Sequence, residues 1–225
     1  MNEFLRIEIH FTMPRPLSPE HHVALHRPTV ILKENPPHLP SPPDSATELL
    51  QVVQQMRDAQ DDPERVLLVQ VFDTSFVDDF LRLLPQGSGP VFRPLLELIA
   101  SDTETLVLKE KIYHNRPRPK EVAKRLQMDF EPAASDTDHS PSYPSGHMAC
   151  ARIMAHALAE NFPHKESTFM KMADLVGQSR VDGGLHFPSD IQAGALWADL
   201  LWNSARRSGL RTQELISNEK IKKPL

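Results

Sequence analysis

The chain has 225 residues, of which 40% are hydrophobic and 24% charged, and its formal net charge is −5. This size and composition are typical of one globular domain, and the negative balance without a basic stripe argues against nucleic-acid binding. The single cysteine, Cys150, excludes an intramolecular disulfide. No apolar run approaches the ~18 residues that cross a bilayer, and residues 1–16 lack a hydrophobic signal core, so we expect a cytoplasmic or a processed chain.

The first 43 residues are predicted to form a proline-rich N-terminal arm. Residues 1–13 alternate loosely and predict a short strand. Residues 14–43 hold nine of the 21 prolines, which forbids regular helix and favours an extended arm on the surface or on a neighbouring subunit. A disordered leader is the alternative. The sequence thus divides into an arm, 1–43, and a helical domain, 44–225.

The remainder of the chain is predicted as helices. Asp44 and Ser45 cap a first helix that runs to Met56, and Pro63 begins a second that runs to Leu84. Further helices are predicted at 91–100, from 102 or 103 to 114, at 145–161, at 165–178 and at 188–207. Residues 119–128 predict a helical turn, 129–144 a loop and 210–225 a basic tail. The fold class is therefore an all-α helical bundle.

Two cations stand at the end of one predicted helix. Lys109 and Arg116 are seven residues apart, so they project from nearly the same face, and Pro117 ends the helix behind them. A lysine and an arginine on one face can bind a phosphate. Because Lys111, Arg118 and Lys120 are close by, a solvated basic face is the alternative.

A second motif lies at a predicted helix start, in Tyr143-Pro144-Ser145-Gly146-His147. Free N–H groups there make an anion site, with the Ser145 hydroxyl beside them and no side chain on Gly146 to block approach. His147 can donate a proton to a departing oxygen. The alternative is that Ser145 is only an N-cap and His147 a surface histidine.

The third motif runs from Gly177 to Asp190. It offers a cation (Arg180), a histidine (His186) and a carboxylate four residues later (Asp190), close enough to hydrogen-bond the imidazole if Pro188 begins a helix. As alternatives, Arg180 could pair with Asp174 or Asp182, and Asp190 could be only a first-turn carboxylate that the helix dipole favours.

Together these motifs resemble the tripartite signature of the phosphatidic acid phosphatase type 2 and vanadium haloperoxidase superfamily. The segments Ser-Tyr-Pro-Ser-Gly-His and Gly-Gln-Ser-Arg-Val are most similar to those of bacterial class A non-specific acid phosphatases. The resemblance covers roughly residues 40–207. Two positions depart from that class: Arg118 replaces an aromatic residue, and Asp182 replaces a cysteine. The class is generally exported, which implies a periplasmic location.

The resemblance implies a role for each motif residue. His186 attacks phosphorus and forms a phosphohistidine, Asp190 orients His186, and His147 protonates the leaving alkoxide. The phosphate-binding residues implied are Lys109, Arg116, Ser145, Gly146 and Arg180. No metal or other cofactor is implied, and vanadate is expected to occupy the phosphate site and inhibit.

The sequence thus predicts a metal-independent acid phosphatase that acts on small phosphorylated substrates. An acidic optimum is expected, because His147 must be protonated while His186 is not. A vanadate-dependent haloperoxidase and a catalytically silent phosphate-binding protein are the alternatives. A homo-oligomer is left open, since a proline-rich arm can clasp a neighbouring copy.

Overall fold

The structure is a computed structural model that describes residues 19–26, 29–33, 36 and 38–217. These residues form ten α-helices: α1 (Pro19–His26), α2 (Ser45–Gln60), α3 (Pro63–Val71), α4 (Val77–Arg82), α5 (Gly89–His114), α6 (Pro119–Arg125), α7 (Gly146–Asn161), α8 (Glu166–Asp182), α9 (Pro188–Arg207) and α10 (Thr212–Ser217). No strand occurs within the described ranges, which confirms the all-α class. The strand predicted in residues 1–13 lies outside them.

Helix α7 is the centre of the bundle and packs against α5, α8 and α9. Four of its five alanines are fully buried and allow neighbouring helices to approach closely: Ala149, Ala151, Ala155 and Ala157. Gly194 brings α9 onto the start of α7, since a Cβ there would lie 2.6 Å from the Ser145 carbonyl oxygen. This crossing joins the second and third sequence motifs, and the Ser145 N–H donates to the Asp190 carbonyl at 2.9 Å.

The proline-rich arm packs on α5 of its own chain. The Asp102 carboxylate accepts the backbone N–H groups of residues 30, 31 and 32 at 2.7–3.1 Å, and Glu110 accepts that of Leu39 at 2.7 Å. Ile31, Leu32 and Leu39 are buried. The described part of the arm is therefore docked on the helical domain of its own chain.

The arm also corrects one prediction, because α1 is a regular helix inside the proline-rich stretch. Pro19 is its first residue, where proline is tolerated since its missing N–H would have no helical partner. The next proline is Pro28, so the intervening residues can complete two turns.

Two helix boundaries also differ from prediction. The stretch predicted as one helix from Pro63 to Leu84 is divided into α3 and α4, because Asp73 uses its carboxylate to bind a distant loop. Conversely, α5 is continuous where a break was predicted at Asp102. That side chain binds the arm and is thus not available to cap a new helix. Within the described ranges, every helix is too short or too polar to span a membrane.

Candidate active site

A histidine–carboxylate pair lies where α8 turns into α9. Gly184 has φ +70°, and this left-handed residue turns the chain after α8. The Asp190 Oδ2 atom lies 3.1 Å from the Nδ1 atom of His186 and accepts the Phe187 N–H at 2.9 Å. Both side chains are buried. The structure thus brings His186 and Asp190 together as the spacing predicted.

The hydrogen bonds of His186 determine its tautomer. Arg118 Nη1 lies 3.3 Å from His186 Nε2, and a guanidinium can only donate, so Nε2 accepts. The ring proton is therefore on Nδ1, facing Asp190. Burial, followed by the charge of Arg118, lowers the pKa of His186 well below its ordinary value. His186 is a neutral imidazole with the Nε2 lone pair directed at a cation.

Asp190 is held ionised. Burial alone would raise its pKa, but the hydrogen bond from His186, the charge of Arg116 and the hydrogen bond from Ser142 outweigh burial, so the pKa lies below its ordinary value. The Ser142 hydroxyl also donates to Oδ2.

The first basic motif lies in a different register from the one predicted. The spacing of lysine, six residues, arginine and proline occurs twice, starting at Lys109 and again at Lys111. Lys109 is exposed on α5 and is not part of the cavity wall, whereas Lys111 and Arg118 are buried and line the cavity with His186. The prediction that Lys109 and Arg116 share an anion pocket is therefore wrong, because two further residues turn the α5 face by about 200°.

Lys111 is held at the start of α7. Its Nζ atom donates to the carbonyl of Pro141 at 2.6 Å, and its Cε atom lies 3.7 Å from the position of a Cβ on Gly146. Burial, followed by the charge of Arg118, lowers the pKa of Lys111 well below its ordinary value. Two cations held this close favour an anion between them.

Arg116 binds the Asp190 carboxylate instead of lining the cavity. Its Nη1 atom donates to Asp190 Oδ1 at 2.6 Å and its Nη2 atom to Glu48 Oε2 at 2.6 Å. Ser189 also accepts from Nη1 at 2.7 Å, and the guanidinium lies 4.1 Å from the Phe187 ring centroid. Arg116 thus fixes the position of Asp190.

The predicted helix start is present, with α7 beginning at Gly146. Ser145 is the N-cap and its hydroxyl accepts the Met148 N–H at 3.3 Å. Gly146 and His147 line the cavity. His147 Nε2 donates to the Asp73 carbonyl at 2.8 Å, which leaves Nδ1 without the ring proton. Burial, followed by the charge of Arg180, lowers the pKa of His147 to about 3.

Arg180 is buried beside this cavity. Its Nη2 atom donates to Asp73 Oδ1 at 2.6 Å and to Ser135 at 3.3 Å, whereas its Nε and Nη1 atoms have no hydrogen-bond partner among the described residues. A buried cation with two unmatched donors favours an anionic ligand. Neither Asp174 nor Asp182 is its partner; Asp182 instead pairs with Arg65 at 2.6 Å.

Three residues of this arrangement were not predicted from the sequence. Asp73 holds both Arg180 and His147, Glu48 shares Arg116 with Asp190, and Ser142 donates to Asp190. Asp73 and Glu48 come from distant parts of the chain and belong to no recognisable local pattern, whereas Ser142 is the first residue of the Ser-Tyr-Pro-Ser-Gly-His segment. The repeated lysine–arginine spacing, by contrast, is visible in the sequence. It could have identified Lys111 and Arg118 as a second candidate pair of phosphate-binding residues.

A cavity with a volume of about 410 Å³ lies beside these groups. Its cationic end is formed by Lys111 and Arg118, with His186, Gly146 and His147 around them. Among the described residues, no group of three or more His, Cys, Asp and Glu side chains is arranged to hold a metal ion. The arrangement can bind a tetrahedral anion against a neutral imidazole.

The sequence of the chain is similar to a family model and to two known proteins. The family model described as the PAP2 superfamily matches residues 92–210, more than half of the chain. An acid phosphatase of Zymomonas mobilis is 39% identical over 57 residues, which are 25% of this chain and 22% of the relative. A non-specific acid phosphatase of Salmonella typhimurium is 42% identical over 53 residues, 24% of this chain and 21% of the relative. The chain thus matches about a fifth of the length of each curated relative.

Among solved structures, a bacterial vanadium-dependent iodoperoxidase is similar with a TM-score of 0.49 and 18% sequence identity. The similarity covers 84% of this chain and 54% of that chain.

Proposed function

The chain belongs to the PAP2 superfamily, as the three sequence motifs predicted, and we propose that it hydrolyses phosphate monoesters through a phosphohistidine on His186. The observation that carries this proposal is the state of His186: a buried, neutral imidazole whose Nε2 lone pair faces Arg118 inside the cavity. The similarity of the chain to two acid phosphatases over a short segment agrees with hydrolysis of phosphate esters.

In the first step, Nε2 of His186 attacks phosphorus, a new N–P bond forms and the bond from phosphorus to the ester oxygen breaks. The positive charge that develops on the imidazole is stabilised by Asp190, which accepts from Nδ1. His147 gives a proton to the departing oxygen, which leaves as an alcohol. Its ordinary state in the empty site is neutral, so the proton must arrive with the phosphate.

In the second step, the neutral His147 takes a proton from water as that water attacks the phosphohistidine. The N–P bond breaks, inorganic phosphate forms and leaves with the proton that His147 took from water, and His186 and His147 both return to their neutral states.

The phosphoryl oxygens are assigned to the groups at the cationic end of the cavity. Lys111 and Arg118 replace Lys109 and Arg116 in this role, because they are the members of the motif that line the cavity. The remaining binding groups are Arg180, the N–H of Gly146 and the Ser145 hydroxyl. Ser145 contributes in part as the N-cap that fixes the helix start.

Metal-independent turnover is part of this proposal, because the cationic side chains neutralise the phosphoryl charge. Excess EDTA should therefore leave the rate unchanged. Strong inhibition by EDTA that is reversed by a divalent cation would contradict it.

The proposal is tested by assaying the purified chain with p-nitrophenyl phosphate and, after loading with vanadate, with bromide and peroxide. We expect phosphate release that His186→Ala abolishes and vanadate inhibits. The exposed Lys109→Ala variant is the control and should retain activity. Halide oxidation without phosphate release would favour the haloperoxidase alternative, and tight phosphate binding without turnover would favour a silent binding protein.

A further inference from the structure

The cavity continues well beyond the phosphate end, along the length of α5. Ala100, Glu104 and Lys111 all line it, and the helical rise of 1.5 Å per residue places the first and last of these about 16 Å apart. Its volume of about 410 Å³ lies within the range of small-molecule sites, roughly 300–1,000 Å³. An inorganic phosphate would fill only the end that holds Lys111.

The middle of the cavity is apolar. Val107 and Leu108 contribute from α5, Phe76 and Val77 from the start of α4, and Met154 from α7. These side chains offer an alkyl chain or an aromatic ring a surface away from water. The leaving group of a substrate that fills this space therefore has an apolar body.

The charge changes sign along the cavity. Among its described lining residues, Lys111 and Arg118 are the only lysine and arginine, and both lie at the phosphate end. Glu104 lines the cavity as well. Glu104 follows the same face of α5 as Lys111, seven residues earlier, and its charge, after burial, contributes to raising the pKa of Cys150 to about 12. The field of its carboxylate therefore reaches the cavity wall.

We propose that this cavity selects phosphate monoesters of apolar alcohols whose far end is neutral or cationic, and rejects those with a second phosphate. Glu104 is the specificity residue, because it meets the far end of a leaving group that extends from Lys111 along α5. The inference rests on the proposed phosphatase activity and deepens it by stating the substrate class.

The test compares three substrates that differ only in the charge at the far end of a six-carbon chain: 6-aminohexyl phosphate, hexyl phosphate and hexane-1,6-diyl bisphosphate. We expect kcat/KM to fall in that order, with the amino ester favoured over the bisphosphate by at least about tenfold at low salt. Added salt should reduce this ratio, since the far end lies near solvent.

The Glu104→Gln variant should bring the ratio towards one. Glu97→Gln is the matched control, because Glu97 is on the same helix, is exposed and does not line the cavity; its ratio should equal that of the wild type. Equal kcat/KM for the three esters in the wild type, or an unchanged ratio in Glu104→Gln, would overturn the inference and leave the phosphatase proposal standing. Absence of hydrolysis of these esters and of p-nitrophenyl phosphate would overturn both.

Discussion

Arg116 Nη1 donates to Asp190 Oδ1 at 2.6 Å, while the other oxygen of the same carboxylate lies 3.1 Å from His186 Nδ1. The arginine that the sequence motif suggested as a phosphate ligand is therefore one residue removed from the nucleophile. Glu48 and Ser189 hold the rest of its guanidinium. Arg116 is a positioning residue that acts through Asp190.

Replacing Arg116 with lysine should lower kcat by about 10- to 100-fold with little change in KM, because a small displacement of Asp190 misaligns His186. Steady-state kinetics with p-nitrophenyl phosphate measures both constants. The comparison is Arg118→Lys, which should raise KM as well, since Arg118 lines the cavity. An Arg116→Lys variant with raised KM and unchanged kcat would assign Arg116 to the phosphate instead.

The register of the basic motif is tested by a matched pair of substitutions on α5. Lys111→Met should reduce kcat/KM by about 100-fold or more, because it removes a buried lysine from the phosphate end. Lys109→Met should leave kcat/KM within about twofold, because Lys109 is exposed outside the cavity. If Lys109→Met were inactive and Lys111→Met active, the first register would be the functional one.

The first step needs one proton, which His147 gives to the leaving oxygen, and the source of this proton determines the pH dependence of kcat/KM. In the free enzyme, His147 has a pKa of about 3 and is neutral at pH 6, and a phosphate monoester loses its second proton near pH ~6. Below that pH the substrate brings the proton; above it neither partner holds it. We expect kcat/KM for hexyl phosphate to fall about tenfold per pH unit above pH ~6.

The His147→Asn variant separates this effect from others. Its kcat/KM should fall far more for hexyl phosphate than for p-nitrophenyl phosphate, because kcat/KM reports the first step and nitrophenolate departs in that step without being protonated. A flat wild-type profile between about pH 6.5 and 8.5, or equal losses on the two esters, would contradict the assignment of His147 as the general acid.

The same pKa makes a prediction about stability. His147 is neutral in the folded protein down to about pH 3 but takes a proton near pH ~6.5 when unfolded, so the unfolded state binds more protons between these values. The free energy of unfolding should therefore decrease as the pH falls below ~6.5. Between about pH 6.5 and 4.5, the wild type should lose on the order of 2 kcal/mol more than His147→Asn.

Urea unfolding of both proteins without phosphate measures this difference, and the subtraction removes the contribution of other groups. An equal loss in the two proteins would show that His147 is protonated in the folded state at acidic pH.

The helices and the third motif could be predicted from the sequence because their causes are local. Asp44 caps α2 and Pro188 begins α9, and the spacing of His186 and Asp190 alone brings them onto adjacent turns. The register of the lysine–arginine pair could not be predicted from the sequence. Both registers have the same spacing, and only the packing of α5 determines which of the two lysines is buried. Asp73 likewise divides α3 from α4 through contacts with residues 62 positions away and more.

The phosphohistidine on His186 is the central claim, and trapping it is the most direct test. In His147→Asn, radiolabelled p-nitrophenyl phosphate should phosphorylate the enzyme while hydrolysis of the phosphoenzyme is slowed, so the intermediate accumulates and survives an alkaline quench. Peptide mapping should then locate one phosphoryl group on His186, with no label in the variant that also carries His186→Ala. Hydrolysis without covalent label, or label on a different residue, would contradict the account.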